Sequence, residues 1–117
     1  WAALALAVTV TCGDRLAALF GADFAPAAGL IPLLALAESL VALAMPLVFV
    51  VISGPFYARH AALGLGLAAV QAALFAVLLP IFGLQAAAWT HMGISAGALA
   101  VTGGLTLMTM RAMRGGD

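Results

Sequence analysis

Charge is what this chain has least of. Its 117 residues hold four Arg, no Lys and four acidic residues, for a formal net charge of zero. A soluble domain carries about 25% charged residues, whereas here the share is 7%, against 67% hydrophobic. Eight charges cannot coat a globule of this size, and soluble monomers avoid large exposed apolar patches because such patches associate. The composition therefore points to a bilayer as the solvent. The four Arg are scattered, so there is no basic stripe to neutralise a run of phosphates, which excludes nucleic-acid binding.

Sulfur chemistry is equally sparse. Cys12 is the single cysteine, so it has no thiol partner for an internal disulfide or a shared metal, and it reads as a small apolar residue near a helix end. The sequence has no Walker loop, no Asp-rich diphosphate motif, no His-Glu-x-x-His, no Cys pair and no Gly-x-Ser-x-Gly elbow. No catalytic residue, cofactor or metal is expected, and the chain is read as a non-enzyme. It opens at Trp1 on an apolar run with no charged leader, and is expected to be the end part of a longer polypeptide.

What is present in quantity is long apolar sequence. A transmembrane helix needs about 20 mostly apolar residues, at 1.5 Å each, to cross about 30 Å of hydrocarbon. Residues 27–52, 61–79 and 85–110 meet that length, while 1–11 are too few to cross alone and read as the end of another helix. The stretches Cys12-Gly13-Asp14-Arg15, Gly21 to Pro26, Ser53-Gly54-Pro55 and Pro80 to Gly83 gather charge, Gly and Pro where the chain is expected to leave the membrane. The predicted fold is all-α, a polytopic bundle of three full transmembrane helices plus the end of a fourth. Pro32 and Pro46 are expected to bend the first full helix. Arg59, Arg111 and Arg114 fall on one side if all three helices cross, which makes that side, and the C-terminus, cytoplasmic.

Four polar residues inside or beside these stretches are candidates for a cavity or for ion coupling: Glu38, Gln71, Arg59 and His91. A carboxylate near the middle of a membrane helix costs on the order of 3 kcal/mol even on the gentlest insertion scales, so Glu38 must face protein or water. Its neighbours on its own helix face, Leu34, Ala35, Val41, Ala42 and Met45, are apolar. Gln71 falls at similar depth, so Glu38 is expected near Gln71 or facing a cavity, either as a proton- or cation-coupling group or as a structural hydrogen-bonding residue. His91 reads either as a proton relay or as an interfacial residue that, with Trp89, sits at headgroup depth. The small residues Gly64, Ala68, Ala72 and Ala76, and Gly93, Gly97 and Val101, recur every four positions and predict close helix packing within the chain.

Two motifs and their spacing add a family resemblance. Leu19-Phe20-Gly21-Ala22-Asp23-Phe24-Ala25-Pro26-Ala27 resembles the LFG-x-x-F-x-x-A entry to a late transmembrane helix in polysaccharide-export flippases. About sixty residues later, Leu78-Leu79-Pro80-Ile81-Phe82-Gly83-Leu84-Gln85-Ala86-Ala87-Ala88 resembles the same family's L-I-P-x-x-G-x-x-G-A-A turn. The family is the Wzx-type lipopolysaccharide and oligosaccharide flippases, in the superfamily that also holds the MATE antiporters and the peptidoglycan lipid flippases. This chain departs from the pattern at Ala86, where Gly is preferred. It departs again at Arg59 and His60, which stand in for a more basic connector.

The resemblance implies that residues 1–117 are the C-terminal transmembrane part of a longer, MATE-like flippase of the inner membrane, packed on the missing N-terminal lobe of the same chain. Its implied cargo is a lipid-linked oligosaccharide or polysaccharide precursor for lipopolysaccharide or exopolysaccharide biosynthesis, and its surroundings are membrane lipid. Neither motif carries a substrate-contacting residue across. The alternatives are a cation-coupled multidrug antiporter of the MATE type, a membrane enzyme of envelope biosynthesis, and a membrane protein whose helices only pack.

Overall fold

A computed structural model describes residues 2–115, and all the regular structure among them is helical. Helix α1 spans Ala2–Ala18, a 3-10 helix spans Ala22–Leu30, α2 spans Ile31–Ile52 and α3 spans Tyr57–Arg114. The Cα extents are 61 × 33 × 15 Å. A helix with its side chains is about 10–12 Å across, so the molecule is a slab little more than one helix thick, with two broad faces. Large apolar side chains stand on its surface, among them Leu65 (75% exposed), Phe49 (70%) and Phe82 (64%).

Two elements, Ala22–Ile52 and Tyr57–Arg114, are long and apolar enough to cross a membrane. Their most apolar windows are 17% and 0% buried, whereas the core helix of a soluble protein would be mostly covered. This corrects the expected bundle of three full transmembrane helices plus the end of a fourth. The segments 61–79 and 85–110, expected as separate helices with a connector between them, belong to one helical element of 58 residues. The physical reason is the economy of the reversal. One residue, Gly83, leaves helical geometry (φ 62°, ψ −150°), and Pro80 lies inside the helix, so no run of loop residues marks a boundary. That backbone region is open essentially to glycine alone.

The two arms of α3, 57–82 and 84–114, lie antiparallel. His60 reaches Thr102, Gln71 reaches His91, and Leu67 lies against Gly97. Helix α2 runs parallel to the second arm, since Glu38 meets His91, the Thr106 hydroxyl donates to the Leu47 carbonyl (3.2 Å), and Gly54 meets Thr109. Helix α1 packs on α2 and on the 3-10 helix.

Other boundaries also differ from expectation. Helix α1 continues through Cys12-Gly13-Asp14-Arg15 to Ala18, because those four residues complete helical turns and Arg15 sits favourably in the last turn, at the negative end of the helix dipole. The first full helix, expected over 27–52, begins at Ile31, with the preceding residues in the 3-10 helix. Pro32 lies in the first turn of α2, where its missing N–H has no intrahelical partner to lose, so it starts the helix instead of bending it. Pro46 stays inside α2 and frees the carbonyl of Ala42.

The seam between α2 and the second arm is built on a spacing of seven. Ala37, Ala44 and Val51 are buried on α2, and Ala88, Ser95, Thr102 and Thr109 are buried on the second arm. A seven-residue repeat keeps one narrow face toward a neighbouring helix, and small residues there let the backbones come close. On the first arm, Leu67, Gln71, Phe75 and Leu78 are the partly covered positions between 61 and 82, while Gly64, Ala68, Ala72 and Ala76 are exposed. The expected four-residue stripe on this arm therefore lies off the packed seam. Within 61–82 the seam is made of larger side chains, one helical turn apart.

Candidate functional site

Three helical pieces each contribute one polar side chain to a single chain of hydrogen bonds. Glu38 stands seven residues into α2, about 10 Å from its start at 1.5 Å per residue. Gln71 and His91 face each other across the hairpin, because Gln71 lies nine residues before Pro80 and His91 eight residues after Gly83. The Gln71 Nε2 to His91 Nδ1 distance is 3.2 Å, and the His91 Nε2 to Glu38 Oε1 distance is 3.0 Å.

The direction of these bonds follows from the groups. An amide NH2 only donates, so Nδ1 of His91 accepts from Gln71 and carries no hydrogen. The ring hydrogen is then on Nε2, which donates to the Glu38 carboxylate. With the ring hydrogen on Nε2, the bond to Glu38 is charge-assisted when the carboxylate is ionised. The histidine side chain is 27% exposed and the glutamate 69%. Histidine is thus covered on the Gln71 side, and the carboxylate is the open end of the chain.

Glu38 opens on a groove of about 480 Å³ between α1 and α2, lined by Leu4, Ala5, Val8, Ala35, Ser39 and Ala42. Ser39 adds little polarity, since its hydroxyl donates to the Ala35 carbonyl at 2.7 Å. The groove is therefore an apolar trough with one carboxylate at its side. A second cleft, of about 200 Å³, lies among α2 and the two arms and is lined by Val41, Met45, Val48, Leu67 and Val101, with His60 and Thr102 as its polar edge. His60 Nε2 and the Thr102 hydroxyl are 3.3 Å apart.

Of the four residues singled out in the sequence, the structure gathers Glu38, Gln71 and His91 and leaves Arg59 elsewhere. The Arg59 guanidinium lies over the Phe56 ring, 5.4 Å from its centroid, at the opposite end of α3's first arm. His91, expected at headgroup depth or as a lone relay, is the bridge between the other two. Its carboxylate partner comes from 53 residues away, so no helical spacing along the sequence announces it. The near-symmetric placement of Gln71 and His91 about Pro80 and Gly83 was the available signal. Sequence reasoning also missed the His60–Thr102 contact and the buried hydroxyls of Thr102, Thr106 and Thr109 on the α2 seam. Among the described residues, no three of His, Cys, Asp and Glu converge as a metal site.

Among the described residues, the charged side chains other than Glu38 divide between the two ends of the slab. Arg59, Arg111 and Arg114 share the end where α2 finishes and α3 both begins and ends, as the Gly54–Thr109 approach requires. Asp14, Arg15 and Asp23 lie toward the other end, with the 3-10 helix, whose Pro26, Gly29 and Leu30 face Leu84 and Gln85 beside the reversal. Compared with known protein families, curated proteins and solved structures, the chain matches none.

Proposed function

We propose that this chain belongs to a membrane transporter that flips a lipid-linked oligosaccharide or polysaccharide precursor across the inner membrane, for lipopolysaccharide or exopolysaccharide biosynthesis. The observation that carries the reading is the chain of Glu38, His91 and Gln71, set among apolar spans and open at Glu38 to a groove. A polar sugar head needs a protein-lined polar path through hydrocarbon, while its lipid tail can stay in the bilayer or lie along an apolar trough. Three polar side chains joined across three helical pieces are costly inside a membrane and are normally kept for such work. The LFG-x-x-F-x-x-A and L-I-P-x-x-G-x-x-G-A-A resemblances, at Leu19 to Ala27 and Leu78 to Ala88, support the same cargo class.

The gathering of Arg59, Arg111 and Arg114 at one end supports a cytoplasmic placement of that end and of the C-terminus, because cytoplasmic segments carry the positive excess. Transport, with no covalent step, is the activity proposed. One observation favours a second reading, a cation-coupled antiporter for lipophilic drugs: Glu38 is 69% exposed beside an apolar groove, a setting that suits an organic cation.

The test is transbilayer movement of a labelled lipid-linked oligosaccharide by the full-length protein in sealed vesicles, with Glu38→Gln measured alongside. Movement above protein-free vesicles is expected, with loss of at least about tenfold in Glu38→Gln, the equivalent of about 1.4 kcal/mol in the barrier. No saccharide movement, with exchange of protons or sodium for a cationic dye, would replace the flippase reading by the antiporter.

A further inference from the structure

We propose that Glu38, His91 and Gln71 form a binding site for one proton, and that the Gln71 amide turns over when the proton arrives. In the arrangement observed, Gln71 Nε2 donates to His91 Nδ1, and His91 Nε2 donates to the Glu38 carboxylate. The three groups together then carry one negative charge. Adding a proton from water can give either imidazolium beside carboxylate or neutral imidazole beside carboxylic acid. In the first, both ring nitrogens carry hydrogen. In the second, an acid O–H on Oε1 donates to Nε2 and leaves the ring hydrogen on Nδ1, whereas a proton on the outer oxygen, Oε2, leaves the ring and Gln71 as they were.

Imidazolium, and the acid bonded to the ring through Oε1, both place a hydrogen on Nδ1, facing Gln71. An amide NH2 cannot accept it, and two donors would meet at 3.2 Å on the covered side of the ring. The remedy is built into the side chain. The two ends of a primary amide have nearly the same shape, so a half-turn about the last bond puts Oε1 where Nε2 was, and the bond is restored with its direction reversed. Glutamine thus satisfies the ring in both states, and no partner is left without a bond. A leucine at this position fits neither state, and a group that only donates or only accepts fits one. Gln71 is a positioning residue: it meets no substrate, and it acts by serving Nδ1.

The surroundings isolate this site from other titrating groups. Helix α1 presents Leu4, Ala5 and Val8 to Glu38 across the groove. On α2 the flanking groove residues are Ala35, Ser39 and Ala42, none of them ionisable. Along the second arm, the positions one turn from His91 are Ala87, Ala88, Ile94 and Ser95. On the first arm the nearest ionisable residue is His60, eleven residues from Gln71 and engaged with Thr102. Asp14, Arg15 and Asp23 are exposed toward the end of the slab. Among the described residues, the ionisable group bonded to each of His91 and Glu38 is the other. The proton's use as the coupling ion for transport rests on the function proposed above, whereas the site itself rests on the three side chains.

The experiment is nitrogen NMR of the full-length protein in lipid bilayers, labelled at histidine and glutamine nitrogens and followed over about pH 4 to 9, the range in which imidazole groups titrate. A His60→Gln variant assigns the two imidazoles. The expected result is that Nδ1 of His91 gains its hydrogen in one step and that the Gln71 side-chain nitrogen shifts with the same midpoint. Gln71→Leu is expected to displace that step by about one pH unit, a tenfold change in proton affinity. A Gln71 signal that stays still through the His91 step overturns the proposal, as does a Gln71→Leu protein whose step has not moved. If Gln71→Leu fails to insert, the coupled shifts in the unaltered protein decide alone. Because no saccharide lipid enters this measurement, a failed flipping assay and a failed proton site give separate results.

Discussion

Gly54→Ala is the substitution whose consequence is set most directly by the structure. Gly54 sits in the turn between α2 and α3, with no unusual backbone angle to favour glycine. What requires glycine is proximity: a methyl group added there would lie 2.3 Å from Cγ2 of Thr109 and 3.3 Å from its Oγ1. Carbon atoms in ordinary contact are about 3.5–4.0 Å apart, so one partner must retreat by more than about 1 Å. Thr109 has little freedom to do so. It is 0% exposed, its β-branched side chain is stiff in a helix, and Val51, also 0% exposed, belongs to the same seam. Forced overpacking of this kind costs about 1–3 kcal/mol. The assay is reversible unfolding in mixed micelles, followed by circular dichroism, with Gly54→Ala, Thr109→Ser and the double variant compared. Serine lacks Cγ2, so the double variant is expected to regain most of what Gly54→Ala loses, with a coupling of about 1 kcal/mol or more. A Gly54→Ala protein as stable as the parent, or additive effects in the double variant, would refute the reasoning.

Two further outcomes follow from backbone conformation and from buried polarity. Gly83→Ala is expected to destabilise the hairpin by about 1–3 kcal/mol, because φ 62° with ψ −150° is a region that side chains resist, although nothing crowds the position. Thiols introduced at Leu67 and Gly97 in a Cys12→Ser background should be joined by a short cross-linker, and Gly83→Ala should lower that yield. Thr109→Val is expected to be neutral or stabilising by up to about 1–3 kcal/mol, since the Thr109 hydroxyl is buried without a hydrogen-bond partner among the described residues and valine has nearly the same shape. Thermal unfolding checks it, and a clear loss of stability would show that the hydroxyl is bonded.

Much of the local structure was legible because it depends on local rules. The low charge and long apolar runs announce helices that a membrane can accept, and Gly21 and Gly83, the two glycines with positive φ among the described residues, both fall in stretches that read as breaks. Element boundaries were less legible, and for identifiable reasons. Cys12 to Arg15 look like a connector by composition but can complete a helix, because a charged pair at a helix end is compatible with helical geometry. Pro32 reads as a bend, yet at the first turn it is a start. Pro80 to Gly83 read as a loop, yet a single glycine turned the chain without one.

The side-chain site divides in the same way. Glu38 drew attention because any carboxylate in an apolar run needs an explanation, and Gln71 because it lay at comparable depth. That His91 joins them could be fixed only by pairing the two arms with each other and α2 with the second arm, relations between residues 20 and 53 positions apart. The packed seam shows this most plainly. Every four-residue stripe of small side chains is a possible interface, and the sequence offers several. Which stripe is used depends on how far each helix is rotated about its axis, and that rotation is the sum of all the contacts each helix makes. Composition by itself thus determined that there would be helices long and apolar enough to cross a membrane, and that polar residues would be scarce. Only the tertiary structure decided that Ala37, Ala44 and Val51 on α2 and Ser95, Thr102 and Thr109 on the second arm would be buried, and that three polar side chains would meet, because spatial neighbours are chosen by packing and not by spacing along the chain.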